Sequence, residues 1–423
     1  MDPVERPADE DVRTTLERIV RRQRARLIGL LVRELGTSRV DVAEDVAQEA
    51  LLAAVASWPY AGLPDHPEAW LARVARNKAV DRLRRRGREV ELPDADALDA
   101  EQCAGADALF AARVPDESLR LAYLCCHAEL EVVDRLALML RLVSGFTAGE
   151  IARLLLLPEA GVAQRLVRAR RRLQALGTEI ASPPDSRQLR ERLDLVLRAI
   201  YLAFSLGHAP RTGAEAIRRD VMEEAIRLAR LLADDPATAR PQARALAALL
   251  CLQGARIDAR VDEAGLPVLL RDQDRSRWRP ELVAAGVDYL RAARTAGRPS
   301  RYHIEAAIAA THTLAPSFEA CDWNAIVTCY EALGRLVDSP VVTVNGAVAR
   351  AHAGDPAGAL ETLDRLRADS RLADYAPYHL ARAEVQRLAG LGGASAEAYR
   401  EALAAGTTAA VARHIETRLA SCL

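Results

Sequence analysis

Five arginines, Arg82, Arg84, Arg85, Arg86 and Arg88, crowd the end of a stretch that reads EAWLARVARNKAVDRLRRRGR from Glu68 to Arg88. Guanidinium groups at that density suit one task above others, the neutralisation of a phosphate backbone. Arg73, Arg76, Asn77, Lys78 and Asp81 precede them, and Trp58, Tyr60 and Trp70 lie alongside. Aromatic faces beside cations can stack unpaired bases. The plain alternative is a solvated helix end whose arginines complement the C-terminal dipole. A second basic stretch favours nucleic acid. It carries Ala163, Gln164, Arg165, Val167, Arg168, Arg170, Arg171 and Arg172. Bond-breaking chemistry is not indicated: there is no Gly-rich phosphate loop, no spaced His and carboxylate metal set, and no nucleophile–base triad. Cys125-Cys126-His127 suggests zinc, but adjacent helical positions point about 100° apart and no second ligand pair follows. The expectation is a binding protein, not an enzyme, with no cofactor and no metal.

The elements that must hold these residues are helices. Trp70, Leu71, Val74, Val80 and Leu83 recur at helical spacing, so Glu68 to Arg88 reads as one helix with Pro67 just before it. Thr147 followed by Glu150 is a capping box. The short helix AGEIARLLL breaks at Leu157-Pro158, and a basic helix begins near Glu159. A short helix, a tight turn and a basic helix make the helix-turn-helix layout, whose second helix enters the major groove. By position Ala163, Gln164, Val167 and Arg168 face base edges, and Arg165, Arg170 and Arg171 reach phosphates. Upstream, Val12 to Leu35 read as an amphipathic helix ending at Gly36. Asp41 then caps a second helix through Trp58, acidic at Asp41, Glu44, Asp45 and Glu49. WPYAGLPDHP follows as a loop.

Composition sets the frame. A chain of 423 residues holds two to four domains, and Ala, Leu, Arg and Glu predominate, so the fold class is all-α. The formal net charge of −1 places any binding field in local clusters. Lys78 is the only lysine. That is the mark of a GC-rich genome, and arginine counts are discounted accordingly. Seven cysteines without a C-x-x-C read as reduced thiols in a cytosol. The N-terminus lacks an apolar run, and no stretch approaches the ~20 apolar residues of a membrane span. The expected location is therefore cytoplasmic. Residues 89–113 are acidic and read as a linker.

Residues 177–423 alternate helical patterns with short turns. Two stretches look like repeats, one from Pro340 and one from Ala376, with Ala349 and Ala383 spaced at the 34-residue tetratricopeptide period. Ala359 corresponds to Ala398 at a wider offset, which implies a longer second turn. Asp262 to Gly265 signal a turn, and a short hairpin there is an open reading. For Asp272 to Trp278 (DQDRSRW) the plain reading is a capping turn with surface ion pairs, and the alternative is a signature string of the extension.

Three strings in this order resemble the extracytoplasmic-function (ECF) sigma factors of the sigma-70 family. DVAEDVAQEALLAAV is similar to the region 2 helix that grips the clamp helices of bacterial RNA polymerase. HPEAWLARVARNKAVDRLRRR is similar to the promoter-melting helix, and TAGEIARLLLLPEAGVAQRLVRARRRL to the region 4 helix-turn-helix. The resemblance covers roughly residues 12–176. VPDESLRLAYLCCHAEL and the long C-terminus resemble a subgroup with a tetratricopeptide-like extension. That subgroup's FNEGY-like string is here Phe204-Ser205-Leu206-Gly207-His208, without the Asn and Glu.

The resemblance implies region 2 over 10–88, a linker over 89–114, region 4 over 115–177 and a helical extension over 186–423. It implies core RNA polymerase, through clamp helices and flap, and promoter DNA as partners. The extension offers a surface for a protein or peptide. Asp45, Gln48 and Glu49 are then the polymerase contacts. Trp58, Tyr60, Arg73, Arg76, Asn77, Lys78, Asp81, Arg84 and Arg85 hold the −10 element, and the Ala163 to Arg171 set reads the −35 element. Rival readings are a DNA-binding regulator acting without polymerase, and a tetratricopeptide scaffold whose arginines reflect codon usage alone.

Overall fold

The computed structural model describes residues 23–89, 116–155, 157–176, 186–208, 218–265, 267–294, 297–369, 371–407 and 409–422. Among them the regular elements are helices, and β pairing is limited to an isolated antiparallel bridge between Val261 and Pro267. The fold is all-α. The chain divides into two compact units, Met1–Ala203 and Phe204–Leu423.

The first unit contains α1 over 23–35, α2 Val40–Ala61, α3 Pro67–Glu89, α4 Glu117–Cys125, α5 Val132–Leu142, α6 Ala148–Leu155 and α7 Glu159–Leu176. The expected linker and the start of the first helix fall outside the described residues. α2 buries Ala43, Ala47, Ala50 and Ala54 against a neighbour that buries Leu71, Ala75 and Ala79 from α3. Small residues let the two helices approach closely. Gly29 serves the same purpose in α1: a Cβ there would lie 2.5 Å from the Glu117 carbonyl oxygen.

Two boundaries differ from the sequence reading. Asp41 sits inside the first turn of α2, and the cap position is Arg39, preceded by a 3-10 turn over Thr37–Arg39. The helix also continues past Trp58 through Pro59 to Ala61. Proline removes one backbone bond, but burial of Trp58 anchors this last turn. Gly62 (φ 81) then ends it, donating to the Trp58 carbonyl at 3.0 Å.

The second half of this unit builds a separate apolar centre from Tyr123, Leu138, Leu140, Phe146, Ile151 and Leu173, all fully buried. Burying such a side chain is worth about 1.5–3 kcal/mol. Asp116 caps α4 by accepting the Leu119 N–H at 3.0 Å. α8, Ser186–His208, runs across the boundary between the units and carries the Phe204 string at its end.

The second unit contains α9 Arg219–Asp234, α10 Pro241–Gly254, α11 Pro280–Ala292, α12 Arg301–Leu314, α13 Trp323–Leu336, α14 Pro340–His352, α15 Pro356–Arg365, α16 Ala376–Leu388, α17 Gly392–Ala404 and α18 Ala409–Cys422. Every residue of α10 from Ala245 to Leu252 is buried, so α9, α11 and α12 pack around it. A helix apolar on all sides has to be wrapped in this way. Helices stacked in pairs follow, as the repeats lead one to expect. The offset is 36 residues: α14 and α16 start at 340 and 376, and α15 and α17 at 356 and 392. The expected longer second turn is therefore corrected. Both turns have three residues, 353–355 and 389–391. Ala349, Ala359, Ala383 and Ala398 are all buried where helices cross. Where a short hairpin is an open reading of the sequence, Gly265 (φ 74) makes the turn, and among the described residues pairing is limited to the bridge between Val261 and Pro267. Asp274 caps the following 3-10 turn through Ser276, and Asp272 pairs with Arg418 at 2.9 Å.

Candidate nucleic-acid interface

α3 sorts its side chains cleanly. Leu71, Ala75 and Ala79 are buried, while Arg73, Arg76, Asn77, Val80, Asp81, Arg84 and Arg85 are exposed on the opposite face. Arg76 chelates the Glu34 carboxylate through Nε at 2.9 Å and Nη2 at 2.6 Å, which raises its pKa. Lys78 and Arg82 turn towards α2. Lys78 Nζ lies 3.5 Å from Glu49, and Arg82 bonds Glu49 at 2.9 Å and Asp45 at 2.7 Å. The side chains of Arg86 and Arg88 lie outside the described residues.

The aromatic pair before α3 splits. Tyr60 is 92% exposed, but Trp58 is 2% exposed and packs edge-on to Trp70 at 5.4 Å. Trp58 is thus a core residue here and does not present a face to bases, contrary to the sequence expectation. The signal was available: Trp58 lies four residues after the buried Ala54.

On α2, Asp45, Gln48 and Glu49 are exposed. The same face carries Leu52 and Val55, large apolar residues left in solvent. The sequence reading missed both. Leu52 lies four residues after Gln48 and three after Glu49, and Val55 three after Leu52, which places acids and apolar groups on one stripe. Such a stripe suits a partner with both basic and apolar side chains.

The helix-turn-helix forms as expected. Thr147 Oγ1 accepts the Glu150 N–H at 3.2 Å, and Glu150 Oε2 accepts the Thr147 N–H at 2.8 Å. α6 ends before Pro158 and α7 starts at Glu159. α7 buries Val162, Leu166, Ala169 and Leu173 and exposes Ala163, Gln164, Val167, Arg168 and Arg171. Three arginines of this helix are engaged elsewhere in the chain. Arg165 bonds Asp134 at 3.0 Å, Arg172 bonds Glu129 at 2.8 Å, and Arg170 bonds Glu44 of α2. The expectation that Arg165 and Arg170 point to phosphates is corrected for this state of the chain.

Glu44 is the centre of that arrangement. Its carboxylate gathers Arg24 at 2.9 Å, Arg141 at 3.3 Å and Arg170. Arg24 also donates to the carbonyls of Arg141 and Leu142, and Gln174 donates to Asp41 at 2.6 Å. The C-terminal half of α7 is thereby tied to the start of α2. Glu44 read as ordinary helix-end charge in the sequence, because its partners are up to 126 positions away. Nearby, burial pushes the Cys125 thiol well up and Cys126 to about 12, so both stay protonated. Among the described residues no set of His, Cys, Asp and Glu converges on a metal site.

An acidic and apolar stripe, a basic helix and a helix-turn-helix with an exposed outer face are features of a DNA-binding transcription factor. Comparison with known proteins narrows the class. The sigma-70 region 2 family matches residues 19–89, and the sigma-70 region 4 family matches residues 120–173. A family of unknown function (DUF6596) matches residues 192–294. An uncharacterized protein of Rhizobium meliloti (strain 1021) is 38% identical over 399 residues, covering 94% of this chain and 93% of that one. No solved structure matches the chain. The chain belongs to the sigma-70 family, as an ECF-like sigma factor with a C-terminal extension. Its sigma regions act in promoter recognition, with RNA polymerase and promoter DNA as partners. No helix among the described residues is long and apolar enough to cross a membrane.

Proposed function

We propose that the chain directs core RNA polymerase to promoters by three contacts divided over its two sigma regions. Region 2 spans 10–88 and region 4 spans 115–177, joined by a linker over 89–114, with the extension over 186–423. The α2 stripe of Asp45, Gln48 and Glu49, joined by Leu52 and Val55, docks on the clamp helices, and region 4 adds a contact to the flap. On docking, Asp45 and Glu49 exchange Arg82 and Lys78 for basic residues of the polymerase. The exposed face of α3, with Arg73, Asn77, Asp81, Arg84 and Arg85, holds the −10 strand. Tyr60 supplies the stacking surface there. Unstacking a base costs a few kcal/mol, which stacking on an aromatic ring offsets. Arg76 and Lys78 join once released from Glu34 and Glu49.

The −35 element is read by α7. One observation supports this most: Gln164, Val167, Arg168 and Arg171 share one exposed face, and among the described residues no ion pair or hydrogen bond ties them down. Gln164 suits adenine, Arg168 guanine, and Val167 a thymine methyl. Arg165 and Arg170 reach phosphates only after leaving Asp134 and Glu44. The extension supports activity as a positive element and offers its stacked helices to a protein or peptide.

Gln164→Ala tests the reading role. Binding of the polymerase complex to matched promoters should weaken by ~1–3 kcal/mol, with relaxed preference at one −35 position. The same loss on every promoter sequence, measured in a library selection, would show that Gln164 reads nothing.

A further inference from the structure

In the second unit one irregular segment crosses the helical stack. It runs from Leu269 to Trp278, between the bridge at Pro267 and the start of α11. Its side chains meet helices of one kind. Arg271 pairs with Glu384 of α16, and Asp272 pairs with Arg418 of α18 at 2.9 Å. Arg275 donates to the carbonyl of His312 in α12 at 3.3 Å and to that of Ala315, just beyond the helix, at 2.7 Å. α12, α14 and α16 are the first members of successive pairs, α14 packs directly on α16, and α18 follows in the same alternation. First helices of stacked pairs share one face, and such faces are the extended binding surfaces of repeat proteins. The segment therefore lies where a bound peptide would lie.

The seat of Arg271 suits a guanidinium. The centre of that group lies over the Phe318 ring, 4.9 Å from its centroid. Phe318 is held edge-on against Trp323 and His352, with centroids 5.0 and 5.2 Å away, and His352 stacks on Trp323 at 4.4 Å. Glu384 supplies the counter-charge. Burial alone would raise its carboxyl, but the hydrogen bond from Arg387 and the charge of Arg271 outweigh burial and hold it below the usual range. A carboxylate combined with an aromatic face selects arginine over lysine, because the planar guanidinium stacks and pairs at once.

The occupant is lightly seated. None of Leu270, Arg271 and Asp272, which form a 3-10 turn, is buried. Leu269 stands exposed beside them, and the Asp272 side chain is 50% exposed in its pair with Arg418. Ion pairs so open to solvent hold weakly. The following residues are anchored instead. Gln273 and Trp278 are buried, and Gln273 donates to the Val268 carbonyl at 3.1 Å.

We propose that this face is a docking site for an arginine of a partner protein, and that Arg271 fills it in cis until the partner displaces the turn 270–272. The partner segment carries an arginine followed by an acidic residue. The arginine takes the place of Arg271 beside Phe318 and Glu384, and the acid meets Arg418. This deepens the reading that the extension offers its stacked helices to a protein or peptide, and rests on it. A partner meeting the closed face loses affinity in proportion to the time that Arg271 holds it.

Fluorescence polarisation on the full chain tests this with a labelled, end-blocked Leu-Leu-Arg-Asp peptide, the sequence of residues 269–272. Arg271→Ala should bind the peptide at least about tenfold more tightly than the wild type does. A Leu-Leu-Lys-Asp peptide should bind that variant at least about tenfold more weakly. Adding Glu384→Gln should cost the arginine peptide a similar factor. Should the double variant fail to fold, the lysine peptide decides. No binding to Arg271→Ala overturns the proposal, as does equal binding of the two peptides. Run-off transcription with the peptide present separates this inference from the reading beneath it. Binding with unchanged transcription upholds the docking site and counts against the extension as a positive element. Absence of binding overturns the docking site whatever the transcription shows.

Discussion

Glu44→Ala is expected to release the C-terminal half of α7 from α2, at a cost of about 3–5 kcal/mol. The reason is the number of cations on one carboxylate. Arg24, Arg141 and Arg170 converge on a group that is 11% exposed, and Arg24 already has its pKa lowered by burial, with the other two guanidiniums adding to the effect. Without Glu44 they repel one another in a poorly solvated place. The loss is a large share of the 5–15 kcal/mol that a domain typically has. Asp45→Ala is the internal control. It breaks a neighbouring ion pair with Arg82 whose carboxylate is 52% exposed, and such pairs are worth about 0–1 kcal/mol. Hydrogen exchange of α7 amides separates the two. Glu44→Ala should speed exchange in that half at least about a hundredfold, and Asp45→Ala should leave it within about fivefold. Equal exchange in the two variants would mean that Glu44 does not hold α7.

Arg84→Ala combined with Arg85→Ala should flatten the salt dependence of promoter-complex formation. Both residues are exposed on the open face of α3, and neither is tied into an ion pair among the described residues. Each phosphate left without its arginine lowers the slope of log affinity against log salt by about 0.7–0.9, so the pair should lower it by about 1.4–1.8. Arg82→Ala should behave differently. Its guanidinium is held by Asp45 and Glu49, so its removal alters the docking stripe before it alters DNA binding. A double variant with an unchanged slope would place Arg84 and Arg85 away from the backbone.

The residues that the sequence revealed and those it concealed differ in the range of their interactions. The Thr147–Glu150 box, the break at Pro158 and Pro67 are local signals, and each falls at or beside an observed boundary, Pro67 itself being the first helical residue. The exposed face of α7 follows from the 3.6-residue period alone. The ties of Arg165 and Arg170 could not be read so, because Asp134 and Glu44 approach only after tertiary folding. In a chain with one lysine, an arginine bound for an acid and one bound for a phosphate look alike in sequence. Pro59 misled for a different reason. It reads as a helix stop, but the burial of Trp58 against Trp70 carries α2 one turn further. Leu52 and Val55 were hidden in an apolar run, and only their exposure separates them from core. In the extension, the repeats showed helix pairs, but their exact offset of 36 residues emerges only from the helix starts.

The central claim is that two cationic helices serve one polymerase at one promoter. Run-off transcription with purified full chain and bacterial core RNA polymerase on a genomic promoter library tests it most directly. The account predicts initiation at defined start sites whose promoters share paired upstream and downstream elements, with Gln164→Ala shifting only the upstream one. A chain that neither joins core polymerase nor yields any defined start would contradict it.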